Sequence, residues 1–237
     1  MLEWVSRWLQ KFQTPPPAAD AVGAWEQYRA ACNAKPDPNR ALDDLEFVVF
    51  DTETTGLNPR SAKLLAIGAI RIRNWSIEID DRFECLVYQP EYAGGQDTSV
   101  HEILPGRQGK QLSEQEAILK FLDFTGNAIL VGHHVEYDRK IIDRALDENW
   151  GGRRLRNAVL DTNKLAQRLS NRSAFGLTSS YSLDELSGQL NVPVYARHTA
   201  GGDAFLTGVV LLKLLSRLKD RGVRNRRDLL RGTSLFF

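Results

Sequence analysis

The spacing of apolar residues changes several times along the chain, and each change marks an element. Near the start, Trp4, Val5, Trp8, Leu9 and Phe12 recur at helical intervals and predict an amphipathic helix packed on the main domain. Thr14-Pro15-Pro16-Pro17 stops it, Ala21–Cys32 reads as a second helix, and Lys35-Pro36-Asp37-Pro38-Asn39 breaks the chain again. From residue 46 the pattern turns to strands. Phe47–Glu53 is an apolar run with a polar end, Thr54–Pro59 is a turn, and Lys63–Arg73 and Ser76–Val87 follow in hairpin sequence. Residues 90–110 read as a loop. Helices are then predicted at Glu114–Phe124, at Glu136–Asn149 with Ile141, Ile142 and Ala145 on one face, from Asp161 as cap to Leu169, at Ser182–Leu190 with Ser182 as cap, and at Ala200–Arg221. Short strands, Ala128–Gly132 and Ala158–Leu160, fall between them. Three antiparallel strands followed by alternating helices and strands predict an α/β fold: a mixed β-sheet flanked by helices, with an N-terminal helical extension.

The 237 residues are 42% hydrophobic and 26% charged, enough for one sizeable core and an appendage. A net charge of +1 argues against a general polyanion binder but is compatible with an acidic site offset by basic residues elsewhere. Cys32 and Cys85 match no zinc spacing and read as reduced thiols. Arg7 and Lys11 interrupt the N-terminal apolar residues, so that segment does not read as a signal peptide. Ala204–Leu218 is cut by Lys213 and Arg217 and falls short of the roughly 18 apolar residues of a membrane span. A soluble, cytoplasmic protein with no membrane partner is expected.

The candidate chemistry begins in FDTETTGL. Asp51 and Glu53 are two apart on a strand, so they share a face. Two carboxylates there repel unless a hard divalent cation joins them, but the same residues also suit a polar strand end before a turn. Other positions bear on that choice. His101, His133, His134 and His198 all fall in loops or at element ends. Asp138 opens the helix after strand Ala128–Gly132, and Asp203 lies five residues after His198 near the start of the last long helix. Taken singly, Asp203 reads as compensation of a helix dipole and His198 as a surface loop residue.

Taken in order, Asp51-x-Glu53, Asp138 within GHHVEYD, and His198 with Asp203 in RHTAGGDA resemble the DEDDh branch of the DEDD exonuclease superfamily, the branch that includes the epsilon proofreading subunit of DNA polymerase III. The resemblance runs from about Glu46 to about Leu215, and SVHEI and LDTNKLAQRL also have counterparts in the family. It implies a ribonuclease-H-like fold and 3′–5′ exonuclease activity. Asp51, Glu53, Asp138 and Asp203 would hold two Mg²⁺ or Mn²⁺ ions about 4 Å apart. His198 would be the general base, since an imidazole titrates near neutrality. Thr52, Thr54 and Leu57 would line the terminal-nucleotide pocket, with Leu57 as a wedge between the last two bases, and His101, His133, His134 and Tyr137 would complete it. The family often has Gly-His-Asn and Phe-Asp where this chain has Gly132-His133-His134 and Tyr137-Asp138.

The chain divides into an extension (1–45), an exonuclease domain (46–222) and a basic, apolar tail (223–237). Residues 213–231 carry eight Lys and Arg against two Asp, which suits either a solvated helix end or a phosphate-contacting patch. Ser234-Leu235-Phe236 resembles the end of sliding-clamp-binding peptides, while packing of Leu235, Phe236 and Phe237 on the N-terminal helices is the alternative. The expected partner is nucleic acid with a free 3′ end, with single-stranded or frayed DNA favoured over RNA by analogy with the polymerase-associated group. An exoribonuclease is the enzymatic alternative. A non-catalytic nucleic-acid-binding module is the alternative of another class, and it should have lost a carboxylate or the base.

Overall fold

The computed structural model describes residues 18–34, 36–90, 111–170, 180–194 and 197–231. The predicted helix at Trp4–Phe12, the loop bearing His101 and the terminal Leu235, Phe236 and Phe237 lie outside those residues. The described helices are α1 (Ala18–Asn33), α2 (Glu114–Thr125), α3 (Glu136–Trp150), α4 (Thr162–Ser170), α5 (Leu183–Gln189), α6 (Ala200–Asp220) and α7 (Arg226–Leu230). The strands are β1 (Phe47–Thr54), β2 (Leu64–Arg73), β3 (Ser76–Leu86), β4 (Ile129–Gly132) and β5 (Val159–Asp161).

The sheet order is β3-β2-β1-β4-β5. β1 pairs antiparallel with β2 and parallel with β4, so it sits where the hairpin half of the sheet meets the parallel half. Its apolar run explains that place: Phe47, Val48, Val49 and Phe50 are all buried, as a strand covered on both faces requires. Phe47 and Val49 join a core with Leu206, Val210 and Leu214 of α6. Val48 and Phe50 join a second core with α2 and α3, where the Phe50 and Phe121 rings lie 5.3 Å apart. A mixed sheet between two helical layers is the predicted ribonuclease-H-like architecture.

Caps set the helix starts. Ser113 with Glu116 and Ser182 with Glu185 form capping boxes, the second at the predicted cap. The Asp161 carboxylate accepts from the Asn163 N–H at 2.9 Å and so caps α4 as expected. The predicted second helix is α1, and it docks through a buried polar pair: the Tyr28 hydroxyl donates to Asn157 Oδ1 at 2.6 Å and accepts from the Arg156 N–H at 2.7 Å. Helix α7 and a 3₁₀ turn at Leu42–Asp44 were not predicted, since three to five residues are too few to show a period. Around them Ala41 and Asn225 form an antiparallel bridge. Cys32 and Cys85 are free thiols. No helix among the described residues is long and apolar enough to cross a membrane.

Candidate active site

Alternation along β1 sends Asp51 and Glu53 to the face covered by α6, and Thr52 and Thr54 to the face covered by α3. Asp203 stands in the first turn of α6, whose N-cap Thr199 accepts the Gly202 N–H at 3.1 Å. Carboxylate oxygens of Asp51, Glu53 and Asp203 lie within 4.8 Å of one another.

A glycine makes that convergence possible. Gly68 on β2 pairs with Asp51 across the sheet. A Cβ at Gly68 would lie 2.2 Å from the carbonyl carbon of Ala200 and 2.3 Å from the Gly201 nitrogen. The start of α6 therefore rests on bare backbone beside Asp51, the kind of close approach for which a strand glycine is needed. Gly201 itself faces a side chain, the Glu84 carboxylate, which a Cβ would meet at 3.1 Å.

Asp138 approaches from the α3 side. It is only 5% exposed, and its Oδ1 accepts from the Thr52 N–H at 3.0 Å and the Thr52 hydroxyl at 2.6 Å. Thr52, expected in the nucleotide pocket, is thus the residue that fixes Asp138. Asp138 lies outside the three-oxygen cluster but within its field. Burial, then repulsion from Asp138, Asp203 and Glu53, holds the Asp51 carboxyl well above the usual carboxylate range, and Arg197 only partly opposes this. Burial pushes Asp138 up to about 7, with Glu53 adding and the Thr52 hydrogen bonds subtracting. The cluster therefore has more negative charge than its burial tolerates, and an all-oxygen donor set of this kind fits a hard divalent ion such as Mg²⁺ or Mn²⁺.

A pH dependence follows. A carboxyl whose folded-state pKa is raised favours folding while protonated. The gain is full below the unfolded value of about 4 and is lost as pH rises through the folded value. Without divalent metal, the protein should lose stability as pH rises from about 4 to about 7. Melting curves across that range in EDTA should slope downward, and saturating Mg²⁺ should flatten them. Parallel curves with and without Mg²⁺ would refute the coupling.

Three features surround the cluster. The Thr54 and Tyr137 hydroxyls lie 2.6 Å apart and both bond to the Gly56 carbonyl, which pins the turn whose tip presents Leu57, 94% exposed. At the end of β4, both His133 ring nitrogens have protein partners: the Thr162 hydroxyl and the Tyr181 carbonyl, each at 2.9 Å. Burial, then His134, lowers its pKa. His134 is exposed, with left-handed backbone (φ 56°), and its Nε2 also meets the Tyr181 carbonyl, at 3.1 Å. His198 is exposed beside the first turn of α6, again with left-handed backbone (φ 63°).

Sequence reasoning missed two residues here. Arg197 pairs with the Asp203 carboxylate and, at 2.7 Å, with Asp184 of α5, so it tethers one member of the cluster to a neighbouring helix. Its signal was a cation immediately before His198. Gly68 was visible as the one small break in the apolar strand AIGAI, but its helix partner was not.

A family model described as "Exonuclease" matches residues 48–211. The chain is 36% identical over 185 residues to a DNA polymerase III subunit epsilon-like protein of Rhodobacter capsulatus, covering 77% of this chain and 25% of that one. It is 31% identical over 177 residues to the DNA polymerase III subunit epsilon of Aquifex aeolicus, covering 75% of this chain and 84% of that one. It is likewise 31% identical to a PolC-type DNA polymerase III of Caldanaerobacter subterraneus, of which it spans 12%. Among solved structures, the fold resembles cell-death related nuclease 4 (TM-score 0.59, 13% identity, 76% of this chain and 65% of that one). It also resembles E. coli exonuclease I in complex with a dT13 oligonucleotide (TM-score 0.56, 14% identity, 75% and 42%).

Proposed function

Since the chain belongs to the exonuclease family whose model spans residues 48–211, we propose that it is a metal-dependent 3′–5′ exonuclease of the DEDDh type, acting on single-stranded or frayed DNA ends. The observation that carries the reading is the meeting of Asp51, Glu53 and Asp203 from two distant segments, with Asp138 held alongside by Thr52. Asp51, Glu53 and Asp203, with Asp138 beside them, would hold two divalent ions, whose charge would stabilise the scissile phosphate. His198 takes a proton from the water as its oxygen bonds to phosphorus; the bond from phosphorus to the 3′ oxygen of the shortened strand breaks, that oxygen is protonated from solvent, and a nucleoside monophosphate leaves. Arg197 and Thr52 keep Asp203 and Asp138 in place. Thr54, Tyr137 and Gly56 hold the turn that sets Leu57 against the terminal bases, and His133 and His134 brace the other wall through Tyr181. The catalytic unit is residues 46–222. The DNA preference is supported by the names of the polymerase III relatives and by the oligonucleotide bound to exonuclease I.

The test is time-resolved digestion of 3′- and 5′-labelled single strands of DNA and RNA of equal sequence, with Mg²⁺ and with EDTA. Early release of the 3′ label, on DNA, only with Mg²⁺, is expected. First release of the 5′ label, or digestion in EDTA, would overturn the reading, and faster loss of RNA would transfer it to an exoribonuclease. Leu57→Ala should cut kcat/KM on single strands about ten-fold, the loss of roughly 1.4 kcal/mol of base contact. Its melting temperature should not move, because the side chain touches little of the fold.

A further inference from the structure

At the end of α6 remote from the acidic cluster lies a concavity of opposite charge. It encloses about 160 Å³ and is lined by Arg168, Leu218, Arg221, Val223, Asp228 and Arg231. Three arginines face one carboxylate. The Arg168 guanidinium donates to the Leu229 and Asp228 carbonyls, each at 3.0 Å, and Arg221 donates to the Leu169 carbonyl. These carbonyls close the ends of α7 and α4, so the two guanidiniums are oriented by fixed backbone rather than left to sweep solvent. The Asp228 carboxylate also accepts from the Arg224 N–H at 3.1 Å. Planar guanidinium forks in a preset arrangement match the oxygens of a phosphate. The space is below the usual size of a pocket for a whole small-molecule ligand, and suits a single anionic group.

We propose that this pocket binds a phosphate group, and that the group is a phosphodiester of the nucleic-acid strand whose 3′ end lies at the acidic cluster. The second half rests on the exonuclease reading, whereas the first does not. Arg221 is 18 residues beyond Asp203, roughly 27 Å at the helical rise of 1.5 Å per residue. At 3.4 Å per nucleotide, a stacked strand needs about eight nucleotides to span it. Long strands therefore reach a site that short ones do not.

The experiment compares wild type with Arg221→Gln/Arg231→Gln and with the single Arg231→Glu. Arg168 is left intact because it ties α4 to α7, and the single variant at an exposed position serves should the double variant not fold. In EDTA at low salt, pyrophosphate should bind wild type and bind the variants at least about five-fold more weakly. In the same buffer, a strand of about sixteen nucleotides should lose affinity in the variants, and its log K against log salt slope should flatten by about 0.7 for each phosphate no longer neutralised. A strand of about four nucleotides should bind all forms alike. A response to pyrophosphate without the length effect would keep the site and assign it to free phosphate. Equal binding of pyrophosphate and of the long strand by all forms would overturn the proposal. The pyrophosphate result stands apart from the labelled-strand digestion, which alone decides the exonuclease reading.

Discussion

An Asp51→Asn variant is expected to degrade single-stranded DNA about a thousand-fold or more slowly than wild type and, in EDTA, to melt at a higher temperature. The two effects have one cause. Asp51 is held against Asp138, Asp203 and Glu53 in a half-buried site, and burial with that repulsion pushes its carboxyl well above the ordinary range. Its charge therefore costs folding energy in the absence of a cation, and the neutral amide removes that cost without changing the side chain's shape. The same charge is a ligand for the ions, and losing several kcal/mol of their electrostatic stabilisation costs a factor of ten for each 1.36 kcal/mol. Saturating Mg²⁺ should raise the wild-type melting temperature and leave that of the variant nearly unmoved. A carboxylate with a merely structural role would give the reverse, a lower melting temperature in EDTA. That result, or activity within ten-fold of wild type, would remove Asp51 from the site.

Gly68→Ala is the second large effect, from a residue that touches no substrate. Its methyl group would overlap the backbone of Ala200 and Gly201, and backbone at the start of a capped helix does not yield as a flexible side chain does. The first turn of α6 must move off β2, carrying Asp203 away from Asp51 and Glu53. We expect a loss of about 3 kcal/mol in stability and, in the molecules that still fold, about a hundred-fold loss of activity. A control is available in Gly188 of α5, where an added Cβ meets nothing within 4 Å. Gly188→Ala should be neutral or slightly stabilising. Calorimetric titration with Mg²⁺ separates the two parts of the prediction. If Gly68→Ala binds Mg²⁺ as tightly as wild type, the glycine serves packing and not the geometry of the cluster.

Most of this architecture could be read from local chemistry. The run Phe47–Phe50 announced a strand covered on both faces, and Ser182 and Asp161 announced helix starts, because capping is decided within three or four residues. Asp51 and Glu53 could be placed on one face because strand alternation is a local rule. What stayed hidden depends on partners distant in sequence. Alternation also puts Thr52 on the opposite face, but only the packing of α3 shows that Asp138 is what it meets there. Two nitrogens of His133 are taken up by residues 29 and 48 positions away, so a side chain that reads as a nucleotide contact is first a brace between β4, α4 and Tyr181. Arg197 belongs to the same class, since its link to Asp184 exists only once α5 folds beside the start of α6.

The bridge between Ala41 and Asn225 has a consequence for how the core holds against unravelling. The Leu42 N–H donates to the Arg224 carbonyl at 2.9 Å and the Arg226 N–H to the Arg40 carbonyl at 3.0 Å, so the segment that leads into β1 and the segment that follows α6 clasp each other. Fraying of either segment must break the same two backbone bonds, and the clasp therefore guards the strand that carries Asp51 and Glu53 and the helix that carries Asp203 together.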